Sequence, residues 1–375
     1  MKNSFDVAII GGGINGSSIA YQLSKLGKKV VMIEKNHLAC EASSAAAGML
    51  AAQAEIEEDG PFFQLALKSQ AMFSSLSNEL FEITGIDIEF VRKGMIKIAE
   101  TEEIAKEVKQ QAAFQRLWDS EIEWLDSHSI RELEPFLSPD VAGGMFIPND
   151  GHVQPAKLSK AFAKAAEQFG ATILENTEVY SFNYENDRVN GVKTTLGNID
   201  CNQVVLATGA WASKLMRETG RDLSIYPVKG ECFSVKTDLP IINRTIFSDK
   251  RCYLVPKRNG EILIGATQID HTFDKRVTPS GIATLVERAS QLVPQIKDAP
   301  WERVWAGLRP QTGDGLPYLG EHPLWKGLFI AAGHYRNGIL LSPVTGTLVA
   351  DLLDGRPDEN LLSSFRIDRH KTLVH

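Results

Sequence analysis

Phe5-Asp6-Val7-Ala8-Ile9-Ile10-Gly11-Gly12-Gly13-Ile14-Asn15-Gly16 is the stretch on which the reading of the fold turns. Its first six residues form a β-rich run ending in glycine, after which Ile19, Ala20, Leu23 and Leu26 recur at helical spacing until Gly27 stops the pattern. A second apolar run, Lys28 to Ile33, ends in Glu34. Strand, glycine turn, helix, strand and acid make a complete βαβ unit within the first 35 residues. In that context Gly11 permits the tight turn, Gly13 lets backbone approach a pyrophosphate and Gly16 lets helix and strand pack closely. The helix N-terminus offers N–H groups and a positive dipole end to the pyrophosphate, and Glu34 is suited to bind ribose hydroxyls. A glycine turn used only for packing would need neither three glycines at this spacing nor the acid.

Further along, Leu158, Phe162, Ala165, Ala166 and Phe169 mark an amphipathic helix ended by Gly170, followed by a strand over Thr172 to Leu174. Asn190-Gly191 and Asn259-Gly260 read as hairpin turns, the second separating Cys252 to Val255 from Glu261 to Ile264. Gln203 to Leu206 reads as a buried strand running into Gly209, and Leu328 to Ala332 as another ending at Gly333. A helix is expected from Ile339 onward, with Pro343 tolerable near its first turn. Parallel-type elements lie at both ends and in the middle of the chain, and hairpin-rich sequence lies between about 221 and 311. The fold class is therefore α/β: a Rossmann-like nucleotide-binding domain of discontinuous segments, 1–85, 150–220 and 312–375, with an inserted antiparallel (α+β) substrate-binding domain, 86–149 and 221–311.

The bulk numbers agree. At 375 residues the chain exceeds the size at which one core stops growing. A net charge of −7 and the lack of a long basic run weigh against a nucleic-acid partner, and no basic amphipathic segment points to a membrane surface. Cys40, Cys201, Cys232 and Cys252 lie far apart with no CxxC pair, so no metal site is expected. The first strand begins almost at once, leaving no room for a signal peptide, and no apolar stretch is long enough to span a bilayer, so the expected location is cytoplasmic.

NAD and FAD share the βαβ fingerprint, so other residues must choose between them. The run Glu41-Ala42-Ser43-Ser44-Ala45-Ala46-Ala47-Gly48-Met49, mostly of small residues, would let backbone approach a bulky flat ligand, or could equally begin an alanine-rich helix. Read with AAAGM at 45–49, VVLATGAW at 204–211, PVKGE at 227–231, CYLVP at 252–256, WAGLRP at 305–310 and GHYRNGILLSP at 333–343, the chain resembles the D-amino-acid oxidase family of FAD-dependent amine oxidoreductases. The last two motifs resemble in particular the branch that oxidises glycine for thiamine biosynthesis. The match spans nearly the whole chain.

The resemblance implies non-covalent FAD and a homotetramer. FAD would be lined by Gly11, Gly13, Ile14, Asn15, Gly16, Glu34, Lys35, Ala42, Ser43, Ala47, Gly48, Met49 and Val179, and by the run His334, Tyr335, Arg336, Asn337, Gly338, Ile339 and Leu340. Substrate contacts would come from Arg309, Tyr253, Arg336 and Met49. A planar guanidinium matches both oxygens of a carboxylate and stays charged at any working pH, which suits Arg309 to a substrate carboxylate. Arg251 stands where family members carry histidine; there a second cation could favour a doubly anionic substrate, or could simply be solvated.

The implied reaction carries hydride from the substrate Cα to flavin N5. The imine then hydrolyses to a 2-oxo acid, and O2 becomes H2O2. No side chain is expected to act as a general base, because a neutral amine needs none. Glycine, sarcosine, N-alkyl glycines and small D-amino acids are the implied substrates, and the imine would feed the thiazole part of thiamine. A covalent flavin is disfavoured because no cysteine follows Cys252. Three alternatives stay open at this point: a D-amino-acid or secondary-amine dehydrogenase with an acceptor other than oxygen, an NAD-dependent dehydrogenase, and a flavin-binding protein without turnover.

Overall fold

The computed structural model describes residues 4–219, 223–248 and 252–370. Among them, Phe5–Ile10 is a central strand of an eight-stranded sheet, paired in parallel with Val30–Ile33 on one side and Gly197–Leu206 on the other. Thr172–Leu174 adds in parallel beyond Val30–Ile33, and Leu328–Ala332 beyond Gly197–Leu206; antiparallel Tyr318–Glu321 closes that edge. Strands buried on both faces need apolar residues at every position. Val7 and Ile9 accordingly enter one core cluster while Ala8 and Ile10 enter the other. Helices Ile14–Lys25, Pro61–Thr84, Pro155–Gln168 and Ser342–Leu353 supply Ile19, Phe73, Phe162 and Leu348 to the first cluster.

A nine-stranded sheet forms the second layer system. Its long strand Ile225–Lys236 pairs antiparallel with Trp301–Thr312 over most of its length, and with Glu261–Gly265 and Ile269–Asp270 on its other side. The sheet continues through Cys252–Pro256, Thr245–Ser248, Met95–Ala99, Gly143–Ile147 and Glu123–Asp126. All its pairings are antiparallel except Thr245–Ser248 with Met95–Ala99.

Several sequence expectations need correction. Asn190-Gly191 is no turn: both residues lie within the strand Arg188–Thr194, and the hairpin turns at Asn186-Asp187, where Asn186 takes φ +55°. Gly191 instead serves a β-bulge, where an added Cβ would come within 2.5 Å of the Ile199 carbonyl oxygen. Asn259-Gly260 does end the hairpin connection between Cys252–Pro256 and Glu261–Gly265, with Gly260 at φ +76°. The helix expected from Ile339 begins at Ser342, so Pro343 falls in its first turn, where its missing N–H costs no hydrogen bond. The small-residue run is a one-turn helix, Ala42–Ala45, followed by extended Ala46 and left-handed Gly48. Phe169 follows its helix and is exposed, whereas Leu158, Phe162, Ala165 and Ala166 are buried. Arg251 lies outside the described residues.

Candidate active site

A cavity of about 440 Å³ runs between the two sheets. One end lies at the carboxyl ends of the parallel strands, where Gly11, Glu34 and Ala207 meet it; the other reaches Tyr253 and Arg309 of the antiparallel sheet. Open parallel sheets bind their ligands at this position because several chain turns converge there.

At the first end the glycines act as the spacing requires. Gly11 has φ +108°, and a Cβ on it would lie 2.6 Å from the Ala207 carbonyl oxygen. A Cβ on Gly16 would come within 2.0 Å of the Gly11 oxygen, so Gly16 closes helix against turn and does not itself line the cavity. Gly13 precedes the helix Ile14–Lys25, and the Ser43 hydroxyl accepts the Ile14 N–H at 2.9 Å. One Glu34 oxygen accepts the Gly12 N–H at 2.7 Å and the other the Asn36 N–H at 2.9 Å. That locks the acid at the rim with lone pairs to spare. Lys35 and Val179 both line the cavity, and Lys35 pairs with Glu178 at 2.9 Å. Among the described residues the buried Asn15 Oδ1 and Thr208 Oγ1 have no hydrogen-bond partner. Both residues line the cavity. Buried polar atoms are rarely left orphaned, so these mark where a polar ligand belongs. A helix N-terminus, a locked acid and orphaned polar atoms along a long cavity fit the dinucleotide that the sequence implied.

Ala42, Ser43, Ala47, Gly48 and Met49 form one wall, and His334 to Ile339 face it. Leu340, expected beside them, is buried in the core, its carbonyl accepting the Ser69 hydroxyl at 2.6 Å. His334 is buried, with Nε2 3.0 Å from Thr345 Oγ1, and burial pushes its imidazole down to about 4, so it is neutral near pH 7.

At the far end Arg309 depends on two features of its surroundings. A Cβ on Gly230 would lie 2.4–2.6 Å from the guanidinium atoms, so glycine there makes the room the side chain occupies. Arg309 Nη1 donates to the Thr267 carbonyl at 3.3 Å. Among the described residues it has no carboxylate partner. Arg336 differs: Glu55 takes it bidentately, Nε to Oε2 at 2.8 Å and Nη2 to Oε1 at 3.1 Å, and that acid raises the guanidinium's affinity for its proton. The Tyr253 hydroxyl lies 3.7 Å from Cys232 Sγ, and burial keeps both protonated.

Sequence reasoning missed Glu55, Gly230, Thr267 and Asp150. Gly230 sat in a quoted motif without a role. Glu55 meets Arg336 across 281 positions, and no local pattern announces it. Asp150 is fully buried beneath Glu55's short helix, Ala52–Glu55, accepting the Ala54 N–H at 3.1 Å and Gln70 Nε2 at 2.6 Å.

Against known proteins, the family model described as FAD dependent oxidoreductase (DAO) matches residues 6–352. The chain is 46% identical over 371 residues to a glycine oxidase of Geobacillus kaustophilus (strain HTA426), covering 99% of this chain and 98% of that one. The crystal structure of glycine oxidase from Geobacillus kaustophilus superposes with a TM-score of 0.95 at 46% identity, covering 98% and 99% of the two chains. Identity is 36% over 369 residues to the bifunctional protein ThiO/ThiG of Nostoc sp. (strain PCC 7120 / SAG 25.82 / UTEX 2576), covering 97% of this chain and 55% of that protein.

Proposed function

Because the chain belongs to the FAD-dependent oxidoreductase family, we propose that it oxidatively deaminates glycine and related small amines, with FAD held non-covalently in this cavity. The observation that carries this reading is the contrast between two arginines: Arg309 reaches the cavity with no acid partner among the described residues, while Arg336 is already paired with Glu55. One uncompensated guanidinium suits a substrate with one carboxylate. Glycine, sarcosine, N-alkyl glycines and small D-amino acids have that charge. The nicotinamide alternative loses its support to the family match.

The residues expected to hold FAD are those facing the nucleotide end and the two walls: Gly11, Gly13, Ile14, Asn15, Glu34, Lys35, Ala42, Ser43, Ala47, Gly48, Met49, Val179 and His334 to Ile339. Held by these residues, FAD would supply the acceptor for a hydride from the substrate Cα and the route of its electrons to dioxygen. The protein's own part is positioning. Arg309 holds the carboxylate with two parallel N–H donors, and Tyr253, kept as a neutral phenol, supplies a further hydroxyl donor at that end. Met49 borders the remaining space. Enclosure of the substrate between the two walls limits water until the imine leaves and hydrolyses to the 2-oxo acid.

The remaining parts of the reading extend from the family resemblance: a homotetramer, a cytoplasmic location, dioxygen as acceptor, and an imine that supplies the thiazole of thiamine. The division into segments 1–85, 150–220 and 312–375 against 86–149 and 221–311 is supported by the segments that supply the two sheets. Among the described residues no helix is long and apolar enough to cross a membrane.

The test is an absorbance spectrum of the purified protein, followed by anaerobic glycine and sarcosine. Flavin bands should bleach with either amine and return with air. Bands that stay unbleached by every small amine tried would overturn the substrate assignment.

The arginine contrast makes a second prediction. Iminodiacetate carries a second carboxylate toward a pocket in which Arg336, the other arginine among its described lining residues, is already paired with Glu55, so it should be a poorer substrate than sarcosine. Glu55→Gln releases Arg336 and is expected to raise kcat/KM for iminodiacetate relative to sarcosine about tenfold, the effect of one unmasked charge in a partly buried site. An unchanged ratio would remove Glu55 from the specificity argument.

A further inference from the structure

The wall formed by Ala47, Gly48 and Met49 is held from behind by a residue of the other sheet. Lys257, in the hairpin connection after Cys252–Pro256, sends Nζ to the Ala47 carbonyl at 2.7 Å and to the Val153 carbonyl at 2.9 Å. The Val153 N–H in turn donates to the Gly48 carbonyl at 2.9 Å. Two successive carbonyls, Ala47 and Gly48, therefore face the Val153 and Lys257 side. Consecutive carbonyls of an extended chain would point opposite ways. Gly48 permits the exception through its left-handed φ of +82°. It also has no room for a side chain, since a Cβ would lie 2.2 Å from the Val153 oxygen.

In a planar trans peptide the N–H points opposite to the carbonyl of the same unit. With the Ala47 and Gly48 carbonyls turned toward Lys257 and Val153, the N–H groups of Gly48 and Met49 turn the other way. Both residues line the cavity, so the wall presents two adjacent backbone donors to it, a concave pair suited to a carbonyl or anionic edge of a flat ligand.

We propose that Lys257 is a positioning residue for the cofactor: by tying the Ala47 and Val153 carbonyls together it aims the Gly48 and Met49 N–H groups at the electron-rich edge of the bound flavin ring. The role needs two N–H donors, which a lysine has as ammonium or as amine. It rests on FAD occupying this cavity and not on which amine is oxidised.

Sulfite adds directly to flavin N5 and leaves negative charge on the ring, which the two donors would stabilise. Its affinity therefore reads their aim without any amine substrate. The experiment compares Lys257→Met and Lys257→Arg holoenzymes with wild type by sulfite titration, FAD absorbance and thermal melting. Lys257→Met should weaken sulfite binding about tenfold, the scale of one misdirected hydrogen bond at a charged ring. Lys257→Arg, which keeps several donors, should recover most of the loss. If Lys257→Met melts lower than wild type yet binds sulfite with wild-type affinity, Lys257 is a structural tie only and the proposal fails. If Lys257→Met does not retain FAD, Lys257→Gln replaces it, with one amide donor group: weakened affinity supports the proposal and wild-type affinity overturns it. Failure of the amine reading would show as flavin bands that sulfite bleaches and amines do not, an outcome separate from either.

Discussion

Arg309→Ala is expected to lower kcat/KM for glycine by about 10³-fold, the scale of removing one partner from a desolvated, hydrogen-bonded charge pair. The carboxylate is bound before and during the reaction, so most of the loss should fall on KM, with kcat falling as far as the substrate is left misaligned. Arg309→Lys should restore only a small part, because an ammonium offers one point of charge where the guanidinium offers a fork. FAD absorbance should stay as in wild type, since Arg309 lies at the end of the cavity away from Gly11 and Glu34. Steady-state kinetics with the spectrum as control decides the matter: kcat/KM within threefold of wild type would sink the carboxylate clamp. Gly230→Ala should move kinetics the same way, because its methyl would occupy the space of the guanidinium.

Asp150→Asn is expected to change how stability depends on pH. Asp150 is fully buried with no cation partner among the described residues, and desolvation pushes its carboxyl up to about 7 despite hydrogen bonds from Gln70, Ala54 and Gln53. Its unfolded value is the ordinary one, about 3.9. The folded state therefore binds the proton more tightly, so this group contributes stability that is fully present below about pH 4 and is lost as pH rises through about 7. Three pK units correspond to about 4 kcal/mol, an order-of-magnitude figure for one buried carboxyl. Asparagine mimics the protonated acid in shape and lacks the titration. Denaturant melts from pH 4.5 to 8 should show the variant gaining on wild type as pH rises, by an amount that levels off above about pH 7. Parallel curves would show that Asp150 stays ionised throughout. Asp150 underlies the short helix that ends in Glu55, so the same titration should loosen Glu55 and Arg336 together.

Much of the nucleotide end was legible because its rules are local. A strand ending in Gly11, a helix beginning at Ile14 and an acid at Glu34 are set by steric limits on turns and by the 3.6-residue period, all within a few dozen positions. The Asn259-Gly260 turn followed from the same kind of rule. The identical dipeptide at Asn190-Gly191 misled, because Asn186 takes the left-handed conformation four residues earlier and the bulge needed a residue without a Cβ. Turn preference there was smaller than the demand of strand register.

Arg309 and Tyr253 could be named from motifs, but their states could not. That Arg336 is paired depends on Glu55 arriving from 281 positions away, and among the described residues no acid does the same for Arg309. That Lys257 grips the Ala47 wall depends on a hairpin of one sheet meeting a loop packed on the other. The sequence by itself determined the parallel nucleotide fold and its glycine turn, because backbone sterics and periodicity act between near neighbours. Only the tertiary structure decided which charges are compensated and which backbone donors face the cavity, because burial and ion pairing are set by groups that meet only when distant segments pack.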